Sequence, residues 1–397
     1  MLKNKKILLG VTGSIAAYKI ASLASMLKKQ GADITVIMTR NAVNFINPIT
    51  FETLTGNKCL VDTFDRNFEF SVEHVALAKQ TDVVLIAPCS ANVIGKIANG
   101  LADDMLTTTY LACQCPKIVA PAMNTRMYQN QIVQDNLEKC RHYGMEVLTP
   151  ATGYLACGDT GDGKMPEPEV LFHAIEHAIS HEKDMAGIKV LVTAGPTMEA
   201  IDPVRFISNH STGKMGYAIA RVCMLRGADV TLVSGPVALP APPYVTCIPV
   251  RSAREMFEQV TARCNAQHII IKAAAVADYR PVVTADHKIK KSDTDLSLGL
   301  ERTDDILQYL GEHKGDGQFL CGFSMETEQM LENSRAKLKK KHLDMIVANN
   351  LRTVGAGFGT DTNVVTLITK DAEIPLPIMS KEDVAEKLVD QIMELRK

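Results

Sequence analysis

The residues best suited to chemistry fall at glycine-rich turns and in short lysine runs. Gly13-Ser14-Ile15-Ala16-Ala17 follows an apolar run and offers backbone N–H groups and a positive helix end to a phosphate. It lacks the G-x-G-x-x-G spacing of a dinucleotide site. Farther on, Ile207-Ser208-Asn209-His210-Ser211-Thr212-Gly213-Lys214-Met215-Gly216 contains a Gly-Lys pair. It is not a Walker A loop, because Ser208 stands where the first glycine belongs and Met215 where Ser or Thr is required. Lys288-Ile289-Lys290-Lys291 and the lysines between 337 and 341 could neutralise phosphate charge, although such runs are most often solvated surface. Taken singly, His74 reads as a surface or core histidine, Asn124 as a turn former and Cys157 as a small buried apolar group.

These turns need elements to hold them. Lys6-Ile7-Leu8-Leu9-Gly10-Val11 reads as a buried parallel strand, residues 15–29 as a helix, and Ile34-Thr35-Val36-Ile37-Met38 as the next strand. Lys189-Val190-Leu191-Val192-Thr193-Ala194-Gly195, residues 218–225 and Val230-Thr231-Leu232-Val233 repeat that plan. Apolar runs at 83–87, 118–120 and 268–271 alternate with helical segments, as in βαβ units. The expected fold is α/β, with two doubly wound Rossmann-like parallel-sheet domains. The polar segment 181–187 serves as a linker, giving domains at 1–187 and 188–397. Ligands in such sheets sit beyond the carboxyl ends of the strands, where the turns lie.

Composition narrows the function classes. Hydrophobic residues at 46% and charged residues at 22% over 397 positions describe a globular chain long enough for more than one core. A net charge of -2 gives no overall attraction for polyanions, so nucleic acid is not an expected partner and any phosphate needs a local site. The basic start leads into an apolar run that breaks at Gly10, too short for a secretory signal, and no run approaches the roughly 18 apolar residues of a membrane span. A cytoplasmic protein with reduced thiols is expected. Cys113 and Cys115 are too close for the usual zinc pair and no C-x-x-C exists, so zinc is not expected.

Several motifs together are more specific. Gly13-Ser14-Ile15-Ala16-Ala17, Ala87-Pro88-Cys89-Ser90-Ala91-Asn92, Pro121-Ala122-Met123-Asn124-Thr125-Arg126-Met127-Tyr128 and Gly153-Tyr154-Leu155-Ala156-Cys157-Gly158-Asp159 resemble the homo-oligomeric flavin-containing cysteine decarboxylase family. The resemblance implies FMN bound by Gly13, Ser14, Ile15, Ala16, Thr39, Ser90, Ala91, Asn92 and Met123. It further implies His74 as active-site base, Asn124 as carboxylate binder, and Cys157, in a substrate-covering flap, as proton donor.

The second half resembles the phosphopantothenoylcysteine synthetase family, through residues 193–216, Ala273-Ala274-Ala275-Val276-Ala277-Asp278-Tyr279-Arg280, Lys288-Ile289-Lys290-Lys291, Asp304-Asp305-Ile306-Leu307, Gly322-Phe323 and Ala348-Asn349-Asn350. Asp304 and Thr303 depart from that family's Asn-Pro-Asp-Ile loop. This resemblance implies Asn209 holding an acyl-cytidylate and Lys288 neutralising developing charge. A nucleotide site is implied at Lys272, Ala273, Ala274, Asp278, Lys288, Asp304, Asp305, Ile306, Leu307, Phe323, Lys337 and Lys341, with Mg2+ on the phosphates through unassigned ligands.

The chain as a whole is similar to bifunctional coenzyme A biosynthesis proteins of the CTP-dependent bacterial type. Its implied substrates are 4′-phosphopantothenate, cysteine and CTP. Its implied assembly is a dodecamer built from flavin-domain trimers and ligase-domain dimers. Two other readings are a nicotinamide-dependent reductase, opposed by the missing G-x-G-x-x-G in both turns, and a non-catalytic regulatory subunit, opposed by retention of His74, Asn124, Cys157, Asn209 and Lys288.

Overall fold

The structure is a computed structural model describing residues 2–63, 73–154, 158, 160–291, 296–326, 329–350, 357 and 359–396. The chain divides into two compact units, 1–182 and 183–397. Each is described by itself.

In chain order the first unit contains β1 (Lys6–Val11), α1 (Tyr18–Lys29), β2 (Asp33–Met38), α2 (Pro48–Thr55), β3 (Cys59–Leu60), α3 (Glu73–Gln80), β4 (Val83–Cys89), α4 (Ala91–Ala98), α5 (Met105–Ala112), β5 (Lys117–Pro121), α6 (Thr125–Tyr128), α7 (Gln131–His142), β6 (Glu146–Val147), β7 (Ala151–Tyr154), β8 (Thr160–Lys164) and α8 (Pro168–Ile179). The parallel sheet runs β3-β2-β1-β4-β5-β6, so the strand order reverses between β1 and β4. Strand periodicity sorts the side chains. Ile7, Leu9 and Val11 join one core with Ile20 and Leu23 of α1 and Leu171 of α8, whereas Leu8 joins the opposite core with Ile94 of α4, Tyr110 of α5 and Leu137 of α7.

The second unit contains β9 (Lys189–Ala194), β10 (Met198–Ala200), β11 (Phe206–Ser208), α9 (Lys214–Leu225), β12 (Asp229–Ser234), β13 (Thr246–Pro249), α10 (Ala253–Cys264), β14 (Ile269–Lys272), β15 (Tyr279–Pro281), β16 (Leu300–Arg302), α11 (Ile306–Glu312), β17 (Phe319–Glu326), α12 (Met330–Lys340), β18 (Met345–Asn350), β19 (Thr362–Thr369), β20 (Glu373–Ser380) and α13 (Lys381–Leu395). Its sheet runs β13-β12-β9-β14-β17-β18-β19-β20, reversing between β9 and β14, with β19 and β20 added antiparallel at one edge. Val190 and Val192 face one core, with α9 and α13, and Leu191 faces the other.

Both units therefore have the doubly wound parallel sheets expected. The segment 181–187 is less of a linker than its polarity suggests. Met185 is fully buried in the second core, and Asp184 pairs with Arg226, which also holds Asp390 at 2.7 Å. Burial of one apolar side chain and a charge network draws residues 183–187 into the second unit.

Candidate functional site

Two cavities meet at the carboxyl ends of β1, β4 and β5. The larger, about 780 Å³, is bounded by Gly13, Ser14, Thr39, Ser90, Ala91, Asn92 and Met123, seven of the nine residues expected at a cofactor site. The remaining two, Ile15 and Ala16, line the second cavity of about 640 Å³, which shares Ser14 and Met123 and adds Asn124. This is the topological switch point of the sheet, where helix starts aim N–H groups outward. The Ser90 side chain makes no capping hydrogen bond at the start of α4, which leaves that first turn open to an anion. At Gly13 a Cβ would lie 2.7 Å from Asn41 Cβ, so the turn closes on glycine alone.

Sequence reasoning missed Thr12. This fully buried side chain donates to the Pro88 carbonyl at 2.7 Å and accepts from the Ser90 N–H at 3.0 Å, so it fixes the β4 turn against the β1 turn. Thr193 repeats the device in the second unit by accepting from the Ala274 N–H at 3.1 Å. The signal was present as a threonine within one residue of the end of the first strand in both units. Thr12→Val should leave a buried carbonyl and N–H unmatched, destabilising the first unit by about 2–4 kcal/mol. Thermal denaturation followed by circular dichroism would register it, and an unchanged midpoint would refute the assigned role.

Lys96 also borders the larger cavity, held by Asp103 at 2.7 Å and Asp104 at 2.9 Å. Burial works against its charge, but these two carboxylates outweigh it and raise its pKa. Asn124 caps α6, its side chain accepting from the Arg126 N–H at 2.9 Å. The β7–β8 hairpin rests on the same loop, with the Met123 N–H donating to Gly163 O at 3.0 Å. Gly163 has φ +116°, and a Cβ there would sit 2.4 Å from Met123 O. The exposed Tyr154 of this hairpin and Lys19, paired with Glu167 at 2.7 Å, line the second cavity. His74 sits half-buried on α3 and lines neither cavity, and Cys157 lies outside the described residues.

In the second unit a cavity of about 270 Å³ opens at the ends of β14 and β17 and at the start of α9. Lys272, Ala273, Ala274, Asp278 and Phe323, five of the residues expected at a nucleotide site, line it. So do Lys214 and Lys381, which sequence reasoning left out, giving three lysines against the single carboxylate of Asp278 among the described lining residues. Lys214 pairs with Asp361 at 2.7 Å, and Lys381 donates to the carbonyls of Gly357 and Thr360. Asn209 donates to the carbonyl of Ala275, a lining residue, at 3.0 Å. Lys341 and Asp305 are paired with each other at 2.7 Å rather than lining the cavity, and Lys288, Asp304 and Lys337 are likewise absent from its described wall. Ile306 and Leu307 are buried in the core beneath, because they begin α11 on its sheet-facing side.

Among the described residues no group of three His, Cys, Asp or Glu is arranged to hold a metal, and no helix is long and apolar enough to cross a membrane.

Two family models cover the chain: Flavoprotein over residues 1–180, and the DNA/pantothenate metabolism flavoprotein C-terminal domain over residues 185–395. The coenzyme A biosynthesis bifunctional protein CoaBC of Bacillus subtilis is 47% identical over 401 residues, covering 100% of this chain and 98% of the relative. The proteins of the same name from Vibrio vulnificus and Escherichia coli K12 are 43% and 40% identical, covering 99% of this chain and 98% and 97% of their own lengths. With both halves matched in order and the relatives aligned end to end, the chain belongs to the family of bifunctional coenzyme A biosynthesis proteins.

Proposed function

We propose that the chain catalyses two successive steps of coenzyme A biosynthesis. The second unit joins cysteine to 4′-phosphopantothenate with CTP, and the first decarboxylates the product to 4′-phosphopantetheine. The observation that carries the ligase half is the cavity in which Lys214, Lys272 and Lys381 face one carboxylate at the start of a helix, a site suited to a triphosphate.

In the ligase unit the substrate carboxylate attacks the α-phosphorus of CTP and pyrophosphate leaves, forming an acyl-cytidylate. The cysteine amine then attacks the acyl carbon and CMP leaves. Asn209, oriented by Ala275, hydrogen-bonds the acyl-cytidylate, and Lys288 neutralises charge that develops on it. The nucleotide site draws on Lys272, Ala273, Ala274, Asp278 and Phe323, with Lys337, Lys341 and residues 304–307 at its periphery. Mg2+ on the nucleotide would be held chiefly by its phosphates and water.

The first unit's residues fit FMN, since the larger cavity pairs the uncapped start of α4 with a glycine turn too tight for a side chain. Gly13, Ser14, Ser90, Ala91 and Asn92 would hold the phosphate and ribityl end, with Ile15, Ala16, Thr39 and Met123 around the remainder. FMN bound there supplies a two-electron acceptor, which makes the thiol-bearing carbon an electron sink for loss of CO2. Asn124 anchors the substrate carboxylate, His74 takes the proton in the oxidative step, and Cys157 returns one to the enethiol. His74 lines neither cavity of its own unit, which suits a site completed by another copy; the trimer of first units and, with ligase dimers, the dodecamer follow from the family resemblance. The soluble substrates suit the cytoplasm.

Mass spectrometry of purified protein with 4′-phosphopantothenate, cysteine, CTP and Mg2+ tests the whole reading. Phosphopantetheine should form only when CTP is present. Phosphopantothenoylcysteine alone would remove the decarboxylase half, and no product would favour the regulatory reading.

A further inference from the structure

Resting on the ligase reading, the inference concerns how Lys288 is held. Lys288 is exposed, and no ordered helix or strand contains it. An exposed lysine on irregular chain would sample many positions, which conflicts with neutralising charge at one atom.

The segment is strapped to the turn joining β10 and β11. Thr284 Oγ1 donates to Ala200 O at 3.1 Å and the Ala285 N–H to Ile201 O at 3.0 Å. Next to Lys288, the Ile289 N–H donates to Asp202 Oδ2 at 3.1 Å, and Arg205 Nη2 donates to Ile289 O at 2.7 Å. Both backbone polar groups of Ile289, one in each of its flanking peptide units, are thus gripped by one carboxylate–guanidinium pair.

Asp202 is the centre of this grip. Its buried carboxylate also accepts from the N–H groups of Val204 and Arg205, each at 2.8 Å, and from Arg205 Nε at 2.9 Å. The Arg205 guanidinium, with those backbone donors, holds the carboxyl well below the usual range, so it stays ionised throughout the working pH range. The same hairpin ends at Ser208, which donates to Thr197 O at 2.8 Å and leads directly into Asn209. One short ribbon therefore carries Asn209 at its base and grips the Lys288 segment at its tip.

We infer that Asp202 is a positioning residue for the ligase reaction, fixing Lys288 relative to Asn209 through the Ile289 peptide. It touches no substrate and acts through the placement of another side chain.

The test is a double-mutant cycle with Asp202→Asn and Lys288→Gln, measured on CTP-dependent ligation. Asp202→Asn should lower kcat by on the order of 10–100-fold while leaving KM for CTP within about 3-fold, because the lysine-lined cavity is untouched. In the Lys288→Gln background the same change should add almost nothing. Amide exchange at Ile289 should quicken by at least about 10-fold in Asp202→Asn. Equal losses in both backgrounds, unchanged kcat, or unchanged exchange at Ile289 would overturn the inference and leave the ligase reading intact. If Lys288→Gln ligates normally, the role of Lys288 falls and this inference with it, whereas a wild-type protein without CTP-dependent product would end the ligase reading itself. Should Asp202→Asn fail to fold, Ile289→Pro removes the N–H and keeps the Asp202–Arg205 pair. It should show the same kcat loss, and normal turnover in it would also overturn the inference.

Discussion

Affinity for CTP should fall as pH rises through about 8, and Lys272→Met should weaken CTP binding roughly 30–150-fold at pH 7. Lys272 ends β14 inside the lysine-rich cavity, and burial, reinforced by the positive charge of Lys341, pushes its pKa down to about 8. Asp305 and Asp278 pull the other way, and Lys337 adds to the depression. Among the described residues its ammonium makes no hydrogen bond or ion pair, in contrast to Lys214 and Lys381, which already have partners. An unpaired ammonium partly withdrawn from water is costly until an anion arrives, and the charged contact then formed contributes about 2–3 kcal/mol. The sign follows from the charged form being the binding form. Below pH 8 Lys272 is mostly protonated and attracts the triphosphate, and above it the neutral amine does not. Calorimetric titration with CTP from pH 6.5 to 9.5 separates this from ionisation of the cysteine amine, which takes no part in binding. Lys272→Arg should flatten the profile, because a guanidinium keeps its proton throughout the range. A flat profile in the wild-type protein would remove Lys272 from the phosphate site.

The wall of the first unit's larger cavity and both sheets were legible because they depend on local pattern. Ile7, Leu9 and Val11 alternate with Leu8 at the period of a strand, and Gly13 and Ser90 follow strands directly, so backbone geometry alone carries them to the switch point. The second-unit cavity was legible only in part. Lys272, which ends a strand, and Ala273 and Ala274, which follow it, were expected and line the cavity, whereas Lys381 begins a helix far along the chain and reaches the cavity through tertiary packing. Lys214 was visible inside the Gly-Lys pair, but failure of the Walker spacing concealed that a lysine after a left-handed glycine can serve anions in another loop. Residues 304–307 show the opposite limit. Sequence order placed them together, yet the helix that begins there turns Ile306 and Leu307 into the core and gives Asp305 to Lys341. Periodicity cannot report which face of a short helix a ligand sees.

His74 leads to the remaining large effect. It lies on α3, whereas Asn124 lines the second cavity, and no described wall of either cavity includes α3. If a second copy completes each site, His74→Asn and Asn124→Ala are defects in different halves of it. Each variant alone should lose on the order of 100- to 10,000-fold in decarboxylation of supplied phosphopantothenoylcysteine. Co-expressed, the two chains should assemble some sites from an intact His74 of one and an intact Asn124 of the other, recovering roughly a quarter of wild-type activity under random mixing. Mixing the purified homo-oligomers without exchange should recover nothing, which separates assembly from contamination. If mixed oligomers are isolated through two affinity tags and remain as inactive as the parents, His74 acts within its own chain or not at all. The base would then have to be sought among groups that line the cavities within one unit.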